Sequence, residues 1–187
     1  MAPPTRSTNA YAVGVTIALW MAEENLLVHV ENVLMSSQGP IVMLAPKDGS
    51  AHGDRVLPIF IDQTQALNIQ LALDGQLSPR PMTHDLMTSI ISLLHAQVLK
   101  VTVTELKENT FYALLTLRLE SGDIDVDSRP SDALALAVRT NAPIFASERL
   151  IDENAIEFDH EVEDEDEVVE KFRDFLNHVT PEDFLND

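Results

Sequence analysis

The chain contains no cysteine in its 187 residues, which excludes disulfides and every metal site built on thiolates. A cysteine-free chain fits a reducing, cytoplasmic compartment. Basic residues are scarce too: four lysines and eight arginines stand against 31 acids, a formal charge of −19. A field of that sign does not steer a chain toward nucleic acid, so such a role needs a local basic patch, a bridging cation or screening salt. Aromatic residues are few, with one tryptophan, two tyrosines and seven phenylalanines, which leaves little for base-stacking platforms. HExxH, a phosphate loop, CxxC and G-x-S-x-G are all missing, which removes zinc proteases, P-loop hydrolases, thiol redox proteins and serine hydrolases from consideration. No motif for an organic cofactor is present. The longest apolar run, "AYAVGVTIALWMA" (10–22), has 13 residues. A membrane span takes about 20, so no membrane association is expected.

That run resembles the core of a signal peptide, but only Arg6 precedes it and Glu23-Glu24 follow without a small-x-small cleavage pattern. Residues 1–24 are therefore expected to be an extension outside the fold, with Met21 a candidate natural start. Residues 25–158 are expected to form the domain. Residues 159–187 comprise a charge run and an amphipathic helix marked by Val168, Val169, Phe172, Phe175, Leu176 and Val179. The acids concentrate here. From Glu148 onward 16 acids face three bases, a balance of −13, which leaves −6 for the first 147 residues. A solvated acidic tail and adaptation to high salt explain this equally well.

Alternation and punctuation predict the elements. Strands fall at 25–35, 41–45 and 56–61, and Pro58 assigns the third to an edge or a bulge. Asp62 and Gln65 form a capping box for a helix over 63–74 that is apolar on most of its circumference and closed by Gly75. An amphipathic helix follows within 78–96, with Thr83 as its cap and Leu86, Met87, Ile90, Ile91 and Leu94 on one stripe. Strands at 97–106 and 110–120 are joined by "KEN", and "SGD" turns the chain into "IDVD", giving an antiparallel meander. Alternation then sends Ile124 and Val126 toward the core and Asp123, Asp125 and Asp127 to the other face. Arg129 stays extended before Pro130, which opens a buried helix "SDALALAVRT" ended by Asn141. Short strands at 143–147 and 156–158 complete the reading.

"LPIFI", "RPMTHDL", "LKENTFYALLTL" and "IDVDSRPSDALALAVRTNAPIF" occur in an order that resembles the bifunctional nuclease domain family, over about residues 26–158. The resemblance implies an α+β fold, a mixed, mainly antiparallel sheet packed with buried α-helices. It also implies a homo-oligomer that acts as a nuclease on both RNA and DNA. It supplies no established catalytic residues.

The motif residues carry two readings each. His84 and Asp85 suit a general base with its orienting partner, or a metal-ligand pair; equally, both complete a helix N-terminus. Arg129 suits a substrate phosphate at the N-terminus of the helix it precedes, or an internal ion pair with Asp132. Arg80, also before a proline, repeats the pattern. Asp125 and Asp127, two apart on one strand face, together with Asp132 suit Mg²⁺ or Mn²⁺ and hence activation of a water. Two functions follow: a nuclease, divalent-metal-dependent on this ligand set, or a non-catalytic oligomeric module that binds or senses an anionic ligand.

Because the pattern of the fold begins only near Leu26, a chain starting at Met21 is expected to melt at the temperature of the full chain. Thermal unfolding of the two proteins checks this, and a large drop for the shorter one would place residues 1–20 in the fold.

Overall fold

The computed structural model describes residues 25–36, 39–47, 55–76 and 78–157. The expected extension at 1–24 and the helix and charge run at 159–187 lie outside them. The described residues form one eight-stranded sheet and four helices, an α+β arrangement. In chain order these are β1 (Asn25–Ser36), β2 (Gly39–Pro46), β3 (Arg55–Phe60), α1 (Gln63–Leu73), α2 (Thr83–Leu93), β4 (Gln97–Lys107), β5 (Thr110–Leu119), β6 (Gly122–Ser128), α3 (Pro130–Thr140), β7 (Ile144–Ser147), α4 (Glu148–Asn154) and β8 (Ile156–Glu157). Across the sheet the order is β6-β5-β4-β7-β1-β2-β3-β8. Every pairing is antiparallel except β4 with β7. No described helix is long and apolar enough to cross a membrane.

Local chemistry explains most of the boundaries. Lys107 and Thr110 pair across a two-residue turn, Glu108-Asn109, in which both residues have positive φ (50° and 56°). That is the twist a tight hairpin requires. Pro58 pairs with Met43 on one side, while β8 reaches only Arg55 and Val56 on the other. The position without an N–H therefore lies where β3 has become an edge, as expected. The Asp62–Gln65 box is formed in both directions, at 2.8 and 3.0 Å. Asn141 ends α3 in the left-handed conformation.

The central connection is β6–α3–β7. From the sheet edge the chain crosses back over β5 and β4 and inserts β7 parallel to β4. A parallel strand needs such a crossover, and here the crossover helix is the core. Ala133, Leu134, Ala135, Leu136 and Ala137 are fully buried against Val101, Val103, Ala113 and Leu115 of the sheet. Alanine on most of its inward positions lets the helix axis lie close to the strands. On the opposite sheet face Ile41, Met43, Ala45 and Val56 form a second, smaller cluster, as the alternation with Val42 and Leu44 dictates.

Burial departs from the apolar pattern in three places. Val126 and Ile124 pair with Leu115 and Leu117 and so share the helix-side face, yet they remain 39% and 46% exposed. Strand β6 is the sheet edge, and the helix layer stops short of it. In α1 only Ala66, Asn68 and Ile69 are buried, while Leu67 and Leu73 reach the surface. In α2 the apolar stripe is almost wholly exposed, and the one buried residue is His84. Helix α2 also starts at Thr83, with Met82 rather than Thr83 at the cap position. Helix α4, carrying buried Leu150 and Ile151, had no counterpart in the sequence reading.

The dense packing under α3 sets a measurable cost. Ala133→Leu is expected to destabilise the protein by about 1–3 kcal/mol through overpacking, and Leu134→Ala by about 2–5 kcal/mol through the cavity it leaves. Urea unfolding midpoints check both. A neutral Ala133→Leu would mean that α3 does not lie against the sheet as described.

Candidate functional site

Two of the sequence motifs meet at the helix layer. The first turn of α2 contributes His84 and Asp85, and α3 contributes Asp132 near its start and Arg139 near its end. His84 Nε2 lies 3.1 Å from Asp132 Oδ1, and Arg129 Nε donates to Asp132 Oδ2 at 2.8 Å. The result is a chain, Arg129–Asp132–His84, that joins positions 48 residues apart. Further along α3, Arg139 Nε donates to Asp85 Oδ1 at 2.7 Å. The same guanidinium donates to the carbonyl oxygens of Asn68 on α1 and Ala135 on α3. Asp85 Oδ2 in turn accepts the Met82 N–H at 2.9 Å, which caps α2. Adjacent residues on α2 thus reach opposite ends of α3, because successive helical side chains diverge by about 100°.

The sequence left open whether these groups serve chemistry or a helix terminus. In the structure both carboxylates use both oxygens within the protein. Their proton affinities reflect it. The Arg139 hydrogen bond, then the Met82 N–H, hold the Asp85 carboxyl below the usual carboxylate range despite some burial. Burial pushes Asp132 up, but the hydrogen bonds from Arg129 and His84 outweigh it and leave the group lowered. Asp132 correspondingly raises Arg129.

His84 is only 5% exposed. A carboxylate can only accept, so Nε2 carries the proton toward Asp132 and, in the neutral ring, Nδ1 carries the lone pair. Nδ1 is buried without a hydrogen-bond partner, and so is Oδ1 of Asn68. Arg129 differs: its side chain is 67% exposed, and among the described residues only its Nε is engaged. Its outer nitrogens face solvent beside the start of α3. Arg80 is exposed and makes no hydrogen bond or ion pair among the described residues.

The aspartates of β6 lie elsewhere. Ile124 and Val126 share the face on which α3 packs, so Asp123, Asp125 and Asp127 point away from the helix layer. Asp123 is bound by Arg118 through two hydrogen bonds, of 3.0 and 3.2 Å, which lower its carboxyl pKa. Asp125 Oδ1 accepts the hydroxyl of Thr116 at 2.6 Å. Asp132 sits on the helix side and is already saturated by a guanidinium and an imidazole. Asp125, Asp127 and Asp132 consequently do not form one donor set. No group of three or more His, Asp or Glu side chains among the described residues is placed to hold a metal ion. A three-carboxylate Mg²⁺ or Mn²⁺ site does not fit this arrangement.

Arg139 and Asn68 escaped the sequence reading. The available signal was a single arginine closing an otherwise apolar run, "ALALAVR", where a buried charge demands a partner.

The comparisons with known proteins are consistent with these motifs. A family-level profile described as the bifunctional nuclease domain matches residues 43–159, which include every site residue discussed above. An uncharacterized protein of Mycobacterium tuberculosis (strain H37Rv) is 37% identical over 151 residues, covering 78% of this chain and 88% of that protein. Bifunctional nuclease 1 of Oryza sativa subsp. japonica and a bifunctional nuclease of Oryza minuta are each 29% identical over 118 residues. Those matches cover 62% of this chain and 35% of the rice proteins, so the chain corresponds to about a third of their length.

The lowered carboxylates set the acid response. Their folded pKa values lie below the unfolded value of about 3.9. The stability they contribute is therefore complete above about pH 5 and is lost as pH falls through the unfolded and then the folded pKa. Asp85→Asn is expected to lower stability by about 2 kcal/mol at pH 7, because Arg139 keeps only its carbonyl partners. It should also flatten the loss of stability below pH 5. Urea midpoints measured between pH 3 and 7 (about one unit apart) check it. An unchanged slope would mean that the Asp85–Arg139 pair is not formed in solution.

Proposed function

We propose that this chain, which belongs to the bifunctional nuclease domain family, hydrolyses phosphodiester bonds in RNA and DNA at the Arg129–Asp132–His84 chain. The observation that carries the reading is that bond network itself. It joins an imidazole, a carboxylate and a solvent-facing guanidinium beside the start of α3, with side chains from both motifs on which the resemblance rests.

Each group has a distinct task. The outer nitrogens of Arg129 take a non-bridging phosphate oxygen and offset the charge that grows as the P–O bond to the leaving nucleoside breaks. Asp132 holds both neighbours at once: it fixes the Arg129 fork and sets the His84 tautomer with its lone pair on Nδ1. A water admitted beside Nδ1 gives up its proton there as its oxygen attacks phosphorus. Arg80, exposed before α2, supplies a second cation for the backbone of a longer strand. Asp85 acts as a positioning residue through Arg139, since neither of its oxygens is left for substrate.

The burial of His84 favours a second reading. An imidazole closed off from solvent and tied to a carboxylate also serves purely as an interhelical lock. The chain would then be a non-catalytic module whose exposed arginines bind an anionic ligand. The distinction lies in turnover.

The test uses the full chain with end-labelled single-stranded RNA and DNA, with Mg²⁺, with Mn²⁺ and with EDTA. Cleavage of both substrates is expected. Asp132→Asn and Arg129→Ala should each reduce it about 100-fold or more. Circular dichroism establishes that the variants are folded. Binding without cleavage in every condition would support the module reading instead. Cleavage equal to the parent in both variants would remove the site from the reaction. The EDTA arm separates metal-dependent from metal-independent hydrolysis.

A further inference from the structure

Two buried side-chain atoms in the helix layer make no hydrogen bond among the described residues: Nδ1 of His84 on α2 and Oδ1 of Asn68 on α1. Each belongs to a residue that is only 5% exposed. Unpaired buried polar atoms are uncommon, because each gives up its hydration without return.

The bonds these residues do make fix the character of the free atoms. Asn68 Nδ2 donates to the Thr64 carbonyl oxygen at 2.8 Å. Exchanging the amide nitrogen and oxygen would set acceptor against acceptor, so the free atom is the oxygen. Nε2 of His84 faces the Asp132 carboxylate, so in the neutral ring the free nitrogen is an acceptor as well.

The helices bring both atoms to one level. Helices α1 and α3 lie side by side with their starts together. Arg129, at the cap position of α3, has its pKa raised chiefly by the hydrogen bond to Asp132, and the charge of Asp62, the cap of α1, raises it further. Six residues beyond each cap, the carbonyls of Asn68 and Ala135 accept from the same nitrogen of Arg139, at 3.0 and 3.1 Å. From there the Asn68 side chain folds back one turn to Thr64. That is the level of the first turn of α3, where His84 meets Asp132. Helix α2 is held to the same junction, because Asp85, next to His84, accepts from Nε of Arg139.

Two acceptors cannot bond to each other. A group with two donors joins them, and water is the smallest. We infer that Asn68 and His84 hold one water between them, Oδ1 accepting one of its O–H groups and Nδ1 the other, and that Asn68 is thereby a positioning residue for attack on phosphorus. This rests on the reaction proposed above. In that reaction the O–H bond facing Nδ1 breaks and its proton passes to the imidazole. The electron pair stays on the water oxygen and forms the bond to phosphorus. The bond from phosphorus to the leaving nucleoside oxygen breaks, and that oxygen keeps the pair and takes a proton from solvent. The O–H group held by Asn68 stays intact. Asn68 therefore decides which proton leaves and where the oxygen lone pairs point.

The test compares the full chain with Asn68→Leu, which removes the acceptor at similar volume; Asn68→Val is the second variant, used if leucine disturbs the fold. Nitrogen NMR spectra of the imidazole rings read the water without reference to cleavage. The His84 signals are identified by their loss in His84→Gln. In the parent, unprotonated Nδ1 is expected at the frequency of a hydrogen-bonded nitrogen. In Asn68→Leu it should move to that of a free lone pair, with Nε2 unchanged. On labelled RNA, kcat of the variant should fall about 10-fold or more. KM should stay within about twofold of the parent, because Arg129 is untouched. An Nδ1 frequency identical in the two proteins overturns the shared water. So does a ring protonated on both nitrogens at neutral pH, which would bond Asn68 directly. A parental kcat in Asn68→Leu overturns the role of Asn68 in the reaction. A parent that cleaves neither RNA nor DNA overturns the reaction and that role with it, while the imidazole spectrum separately decides whether the water is held.

Discussion

The guanidinium of Arg139 is the point on which the helix layer depends. It sits near the end of α3, largely enclosed, and a charge in that position is tolerable only when its donors are used. The structure uses them on Asp85 of α2, the carbonyl of Asn68 on α1 and the carbonyl of Ala135 on α3 itself. Three helices from two separate parts of the chain are thereby fixed to one planar group. Apolar packing alone would not do this, since α2 turns its apolar face outward. The orientation of α2, and with it the placement of His84 over the start of α3, follows from one buried charge and the carboxylate that answers it.

The second polar link, His84–Asp132–Arg129, depends on the first. Asp85 and His84 are adjacent, so holding Asp85 against Arg139 aims His84 toward Asp132, earlier on α3. Specificity of arrangement rather than net stabilisation is what such buried polar contacts supply. In this molecule the arrangement leaves one member, Arg129, open to solvent, and Asp132 pins the inner edge of its guanidinium. A cation held at a helix start is the local positive feature that an otherwise acidic chain needs if it is to approach a phosphate.

The fold was largely legible because its signals are local. Pro58 at an edge, the Asp62–Gln65 box, the Glu108-Asn109 turn, Pro130 at a helix start and Asn141 at its end each act within a few residues. They therefore survive into the structure unchanged. Burial was less legible. Ile124 and Val126 alternate as core residues do and occupy the correct face, but that face is empty of helix at the sheet edge. The stripe on α2 is equally periodic and equally uncovered. Periodicity records which residues share a side; it does not record whether another element arrives there. The site was legible as a set of residues, and the Arg129–Asp132 ion pair was one of its readings, but the His84–Asp132 contact was not. Proximity along the chain suggested Asp125 and Asp127, whereas the β6-to-α3 connection carries Asp132 to the opposite side of the sheet.

What the sequence determined by itself is the order and type of nearly every element from β1 to β8, the caps that end them, the absence of thiol chemistry and the surplus of negative charge. These rest on backbone stereochemistry and composition, which need no distant neighbour. Only the tertiary structure decided which distant charges meet: that Asp85 belongs to Arg139, that His84 reaches the Asp132 held by Arg129, and that α2 presents its apolar side outward. The two links between α2 and α3 span 48 and 54 residues of chain, and crossing strands and helices set them. The physical reason is that a buried charge must find a counter-charge in space, and its position in space is fixed by the packing of α3 on the sheet.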